Sequence, residues 1–167
     1  MLLTESACKA VWDRVYKLFH FYPSTDTKVI PFILPEPFVV YDIQTVSNIK
    51  SEQFDRLISN ALLQCTVPGQ RLYALDWQHS GFLYDPRDPE QRKSIYVEDA
   101  RYVGGGYYGY FPDYYPDGDY YFFIDEQFCF GYLSHPWRKE VWIFGSQLIS
   151  EFEKIETSLG WQKKSKL

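Results

Sequence analysis

The sequence predicts an α+β fold: an antiparallel β-sheet, a meander in its C-terminal half, packed with N-terminal, middle and C-terminal α-helices. Two observations carry this expectation. Three segments repeat apolar residues at steps of three and four, the spacing of one helix face. Between the last two of them, short runs rich in Tyr, Phe, Val and Ile alternate with turn residues, as hairpin-linked strands do.

The first helix is expected over residues 4–20. Thr4 can cap it, and Cys8, Val11, Trp12, Val15, Leu18 and Phe19 fall on one face. Pro23 and the Ser-Thr-Asp stretch after it end the element. Prolines between Pro31 and Pro37 forbid a helix and predict an extended link, after which Phe38–Ile43 alternates like a strand.

A second helix is expected from Ser51 to Cys65, with Phe54, Leu57, Ile58, Ala61, Leu62 and Cys65 as its apolar stripe. Pro68-Gly69 stops it. Cys65 lies on the stripe and therefore reads as core, not as a nucleophile. Arg71–Gln78 and Phe82–Tyr84 read as strands on either side of His79-Ser80-Gly81. The polar stretch Asp85–Arg92, with Pro86 and Pro89, reads as a surface loop.

The meander begins at Tyr107. Pro116-Asp117-Gly118-Asp119 is turn chemistry, followed by a strand at Tyr120–Ile124 and a turn at Asp125–Gln127. Phe128–Leu133 and Val141–Phe144 are the next strands, joined through Ser134-His135-Pro136. Gly145-Ser146 opens a last helix with Leu148, Ile149, Phe152, Ile155 and Leu159 on one face, closed by Gly160. The basic residues Lys163, Lys164 and Lys166 follow, where cations complement the helix dipole.

With 167 residues, no internal repeat and no composition break, a single domain over 1–167 is expected. Three cysteines make no disulfide framework, and no apolar run has membrane or leader length, so a cytoplasmic location is expected. A net charge of −5 excludes nucleic acid as the main ligand, since phosphate binding needs a basic face. Between Asp76 and Glu126 eleven acids stand against four bases. Aromatic residues make up 20% of the chain. An acidic, aromatic surface of this kind steers a basic protein toward it. On that reading Asp99, Asp117 and Asp119 supply charge. Tyr107, Tyr108, Tyr110, Tyr114, Tyr115 and Trp137 supply contact area.

Catalytic motifs are scarce. Gly104, Gly106 and Gly109 have the glycine spacing of a dinucleotide loop, but Tyr107, Tyr108 and Tyr110 to Pro112 stand where a helix should receive pyrophosphate. These glycines instead predict a turn or a close backbone approach. Asp113, Asp117 and Asp119 lack the alternation and the later Glu of a calcium loop, and Asp117 and Asp119 read as turn residues around Gly118. No Cys-x-x-Cys or His-Glu-x-x-His pattern exists, so no metal and no cofactor is expected. The residues suited to acid–base work are Asp76, His79 and His135, an Asp being able to orient an imidazole three residues away. Ser80 adjoins His79, but no nucleophile elbow surrounds it.

An ordered set of strings runs through the chain: Glu36-Pro37, Tyr41-Asp42-Ile43, Tyr73-Ala74-Leu75-Asp76-Trp77-Gln78-His79, Pro116 to Phe123, Phe130-Gly131, His135-Pro136-Trp137 and Phe144-Gly145. In these the sequence resembles the bacterial family known as domain of unknown function 2716, over about residues 36–150. The resemblance implies a compact single-domain bacterial protein and brings no assigned activity or catalytic residues. Small acidic α+β proteins of this type are also similar to the immunity proteins that neutralise bacterial toxins, an analogy of type. The first functional expectation is therefore a protein-binding module of immunity type, with a basic protein such as a toxin as partner. The alternatives are a small hydrolase-like enzyme with Asp76, His79 and His135 in a cleft, and a structural or oligomer-forming domain.

Overall fold

A computed structural model describes residues 1–44 and 50–164. Helix α1 (Glu5–Phe19) is capped by the Thr4 side chain, which accepts from the Ala7 amide. Strand β1 (Phe38–Asp42) and helix α2 (Ser51–Gln64) follow. Strands β2 (Leu72–Asp76) and β3 (Gly81–Tyr84) form a hairpin. After a 3₁₀ turn at Pro89–Gln91, β4 (Ile95–Glu98) and β5 (Gly106–Gly109) form a separate two-stranded ribbon. Strands β6 (Tyr121–Asp125), β7 (Gly131–His135) and β8 (Glu140–Phe144) make the meander. Helix α3 (Ser146–Leu159) and the short strand β9 (Gln162–Lys163) complete the described chain.

The main sheet has seven strands in the order β3-β2-β6-β7-β8-β1-β9, every pair antiparallel. The protein is thus α+β, with its N-terminal, middle and C-terminal helices packed on a meander-like antiparallel sheet. Strand alternation sorts the side chains to two faces. Leu75, Phe122, Ile124, Leu133, Trp142 and Phe144 meet Val11, Trp12, Val15 and Phe19 of α1 and the segment carrying Phe21, Phe32 and Leu34. Val39, Tyr41, Phe123, Tyr132, Val141 and Ile143 face the opposite way, against α2, α3 and Trp161. Both faces are covered, and this explains why the strands read as continuous apolar runs without polar alternation. Cys65 is buried in the second of these clusters, as its place on the stripe predicts.

Three local expectations change. The chain does not turn at Ser134-His135: β7 runs through both, because Ser134 Oγ is held by the Tyr121 backbone, and the turn falls at Pro136–Lys139. Ile95–Glu98, assigned to no element from sequence, pairs with β5. Lys163 and Lys164 do not serve a helix terminus. Lys163 sits in β9 and bonds Glu153, while Lys164 reaches the buried Glu140, which also accepts from Arg138 and from the Trp142 indole. Lys166 lies outside the described residues. Among the described residues no helix is long and apolar enough to cross a membrane.

Candidate functional site

The antiparallel register of β2 on β6 places Asp76 opposite Tyr121. The turn leaving β2 therefore lies beside the loop entering β6. That turn is tight: the Asp76 amide donates to Ser80 O at 2.8 Å, the His79 amide to Asp76 O at 3.2 Å, and Gln78 takes a left-handed φ of 67°. The Trp77 amide donates to Tyr120 O at 3.1 Å and fastens the turn to the loop. The Trp77 and Trp137 rings both pack on Tyr120, at 5.8 and 5.4 Å between centroids, so the two tryptophan motifs meet through one tyrosine.

His79 and Asp119 are brought together by this arrangement. Nδ1 of His79 lies 3.0 Å from Asp76 Oδ1 and 3.4 Å from Asp119 Oδ2. Asp76 is only 8% exposed. Burial pushes its carboxyl up to about 6, against the opposing hydrogen bond and charge of His79, and with Asp119 and Asp117 adding to the rise. The Asp76 hydrogen bond raises the imidazole of His79, outweighing the effect of its partial burial. Burial likewise raises Asp119. Asp117 accepts from the Tyr121 hydroxyl at 2.5 Å, and burial followed by that bond raises the phenol. Asp119 bonds the Tyr120 amide, as a turn residue would, but Asp117 engages a side chain instead of a backbone amide.

Asp76, His79, Asp117 and Tyr121 line a cleft of about 830 Å³. Tyr102, Tyr107, Tyr108 and Tyr110 supply another part of its lining, and Asp55, Arg92 and Asp113 also border it. Gly106 permits the ribbon behind these tyrosines, because a Cβ there would lie 2.2 Å from Val97 O. Close backbone approach, not pyrophosphate binding, is the use of that glycine. Ser80 cannot attack a substrate as His79's partner: it is buried, and its hydroxyl donates to Tyr110 O at 2.6 Å. Cys8 shares a neighbouring groove with His79, but burial raises its thiol, the reverse of what a thiolate nucleophile needs.

The other sequence candidates scatter. His135 does not join Asp76 and His79. It is fully buried on β7, accepts from the Arg138 amide through Nδ1 at 3.3 Å, and turns Nε2 to the Tyr120 hydroxyl at 3.3 Å. Burial lowers its pKa to about 4, leaving it neutral. Tyr114 is buried at 2% exposure, its ring 4.6 Å from Phe123, so it supplies core and no contact surface. Tyr115 is half-buried against Phe54. Asp99 is engaged by the Arg101 guanidinium at 2.7 Å, which offsets its charge locally. Tyr107, Tyr108, Tyr110 and Trp137 are exposed, although Trp137 does not line the cleft. Sequence reasoning assigned Asp119 to a surface charge. Its signal as an imidazole partner lies in the pairing of β2 with β6, which no local spacing encodes.

The model of the family described as "Protein of unknown function (DUF2716)" matches residues 2–149. The match thus begins well before residue 36, where the resembling strings start. The chain is 26% identical over 161 residues to the uncharacterized protein YxiI of Bacillus subtilis (strain 168), with 90% of each chain covered. No solved structure matches it.

Proposed function

This chain belongs to the DUF2716 family, and we propose that it is a hydrolytic enzyme whose water-activating centre is formed by Asp76, His79 and Asp119. The observation that supports it is the seating of His79 Nδ1 between two carboxylates at 3.0 and 3.4 Å, at the edge of a cleft. Nε2 has no protein partner among the described residues and can take a proton from water. Asp76 fixes the ring and stabilises the imidazolium that forms, as an orienting carboxylate does. With Ser80 committed to Tyr110 and the Cys8 thiol raised, water is the nucleophile that remains. The carboxylates of the cleft disfavour phosphate esters, so neutral or cationic esters, amides and glycosides are the substrates to try. In this reading residues 1–167 act as one domain in the cytoplasm.

A panel of chromogenic neutral and cationic substrates of those classes tests the proposal. Turnover by the wild-type chain that His79→Ala and Asp76→Asn abolish supports it. No turnover across the panel, or equal turnover by the variants, overturns it.

A second reading, an immunity-type module that binds a basic protein, draws on the exposed Tyr108 and Tyr110 beside an acidic cleft. It requires a stoichiometric basic partner from the host lysate, released by high salt and lost with paired Tyr108→Ala and Tyr110→Ala. An empty capture at low and high salt removes this reading.

A further inference from the structure

We infer that Asp76, His79 and Asp119 form a binding site for a single divalent transition-metal ion, one carboxylate oxygen from each Asp and Nδ1 from His79 serving as ligands. The inference rests on the reading of this centre as water-activating and names its cofactor; with an ion on Nδ1 the ring would carry its proton on Nε2, so the ion and not the imidazole would activate the water.

The geometry is that of a donor set. One ligand atom from each of the three residues can be chosen so that all lie within 4.8 Å of one another. Donors about 2.0–2.2 Å from a common ion stand roughly 3.0–3.4 Å apart at neighbouring tetrahedral or octahedral vertices. Nδ1 meets that separation with both carboxylates, at 3.0 and 3.4 Å. An ion would replace the proton that Nδ1 shares with Asp76.

An independent observation points the same way. The Asp76 side chain is only 11% exposed, and among the described residues its carboxylate faces no cationic side chain other than His79, which it meets through Oδ1. A largely buried carboxylate carries a desolvation cost that a cation would offset. The carriers of the ligands are also rigidly joined, through the Trp77 amide on Tyr120 O and the packing of the Trp77 ring on Tyr120. Such support holds a metal site in place before the ion arrives.

One imidazole with two carboxylates suits ions from Mn²⁺ to Zn²⁺, tighter toward the zinc end. Three protein ligands leave positions for water, the pattern of catalytic rather than structural sites. The bound ion would supply charge that makes a coordinated water more acidic. No sequence motif announces the site, because its third ligand comes from a different hairpin.

Mn²⁺ alone is the probe, since the exposed thiol of Cys129 competes for Zn²⁺ but poorly for manganese. Titration of the tag-free wild-type chain, followed by the electron paramagnetic resonance of free Mn²⁺, should show one ion bound per chain. Affinity should fall at least about tenfold in Asp119→Asn and in His79→Ala. His20→Ala, at the exposed end of α1, should bind as the wild type does. Circular dichroism melts confirm that each variant is folded, and Asp119→Asn serves if Asp76→Asn does not fold. No binding at millimolar Mn²⁺, or equal binding by wild type, Asp119→Asn and His79→Ala, overturns the site. Turnover on the substrate panel that a chelator leaves unchanged overturns the ion and preserves the enzyme. Specific Mn²⁺ binding without turnover preserves the ion and overturns the enzyme.

Discussion

Oδ2 of Asp119 stands 3.4 Å from Nδ1 of His79, although the two residues belong to loops far apart in the chain. The contact follows from sheet order. Because β2 pairs with β6 in antiparallel register, the exit of one strand and the entry of the other share an end of the sheet. Tyr120, adjacent to Asp119, receives the Trp77 amide and the Trp77 ring and so locks that end. One edge of the imidazole is thereby held by two carboxylates, and the other is left for chemistry.

The two carboxylates are unequal partners. Asp76 is the nearer and more buried, and Asp119 is longer by 0.4 Å and already bonds the Tyr120 amide. On any substrate the screen identifies, Asp76→Asn should lower kcat by about 10² or more, and Asp119→Asn by about tenfold. Steady-state kinetics, beside melts that show both variants folded, checks the order. A reversed order would make Asp119 the orienting group.

Tyr114 and Tyr108, both read from sequence as contact residues, should separate cleanly in stability. Tyr114 is packed on Phe123, and its hydroxyl lies 3.1 Å from Ser59 Oγ, whereas Tyr108 is 56% exposed. Tyr114→Ala should cost about 3–5 kcal/mol, the range of buried aromatic truncation. Tyr108→Ala should stay within about 0.5 kcal/mol. Urea unfolding of the two variants gives both numbers.

Why one tyrosine was legible and the other not is a matter of burial on two faces. The helices declared themselves because each has a single apolar stripe, such as Phe54, Ile58, Ala61 and Leu62 on α2. The strands were found as apolar runs, but their facing was hidden, since Phe122 and Phe123 are both buried on opposite sides of the sheet. Between strands a Tyr has the same appearance whether it folds inward, as Tyr114 does, or lines a cleft, as Tyr107 does. For His135 the neighbouring proline suggested a turn, while the bond of Ser134 to the Tyr121 backbone and the pairing of His135 with Glu140 on β8 keep the strand going. Asp76 and His79 could be paired by spacing alone. Asp119 could not.

The ribbon that carries Tyr107 and Tyr108 should be sensitive at one glycine. A Cβ at Gly106 would meet Val97 O at 2.2 Å and the Tyr96 ring at 2.8 Å, too close without displacement of the strand. Gly106→Ala should therefore open β4 and β5 locally, with an overpacking cost of about 1–3 kcal/mol. Amide hydrogen exchange should accelerate at residues 95–109 and stay unchanged in β6–β8. Turnover should fall with it, because the tyrosines of the ribbon line the cleft. Unchanged exchange in the ribbon would show that the strand accommodates the methyl group.

His135 should leave a signature in the pH dependence of stability. Its ring is wholly buried, with Tyr120 on Nε2, the Arg138 amide on Nδ1, and Glu140 and the Arg138 guanidinium as the charges acting on it. Burial dominates and lowers the folded pKa to about 4, from 6.5 in the absence of structure. The unfolded chain thus binds a proton that the folded chain refuses. The stabilising contribution of neutral His135 is complete above 6.5 and is lost as pH falls toward 4. Asp76, whose folded pKa is raised, acts in the opposite direction over much of the same range, so the wild-type profile alone would conceal the effect. The comparison of wild type with His135→Gln cancels the Asp76 contribution, because both chains share it. Gln removes the titration while keeping a donor and an acceptor, at some cost in packing. The deficit of the variant, measured by urea unfolding, should shrink by roughly 2–3 kcal/mol between about pH 7.5 and about pH 4.5. A deficit that is constant across this range would mean that His135 takes up its proton while folded, against the burial that defines its site.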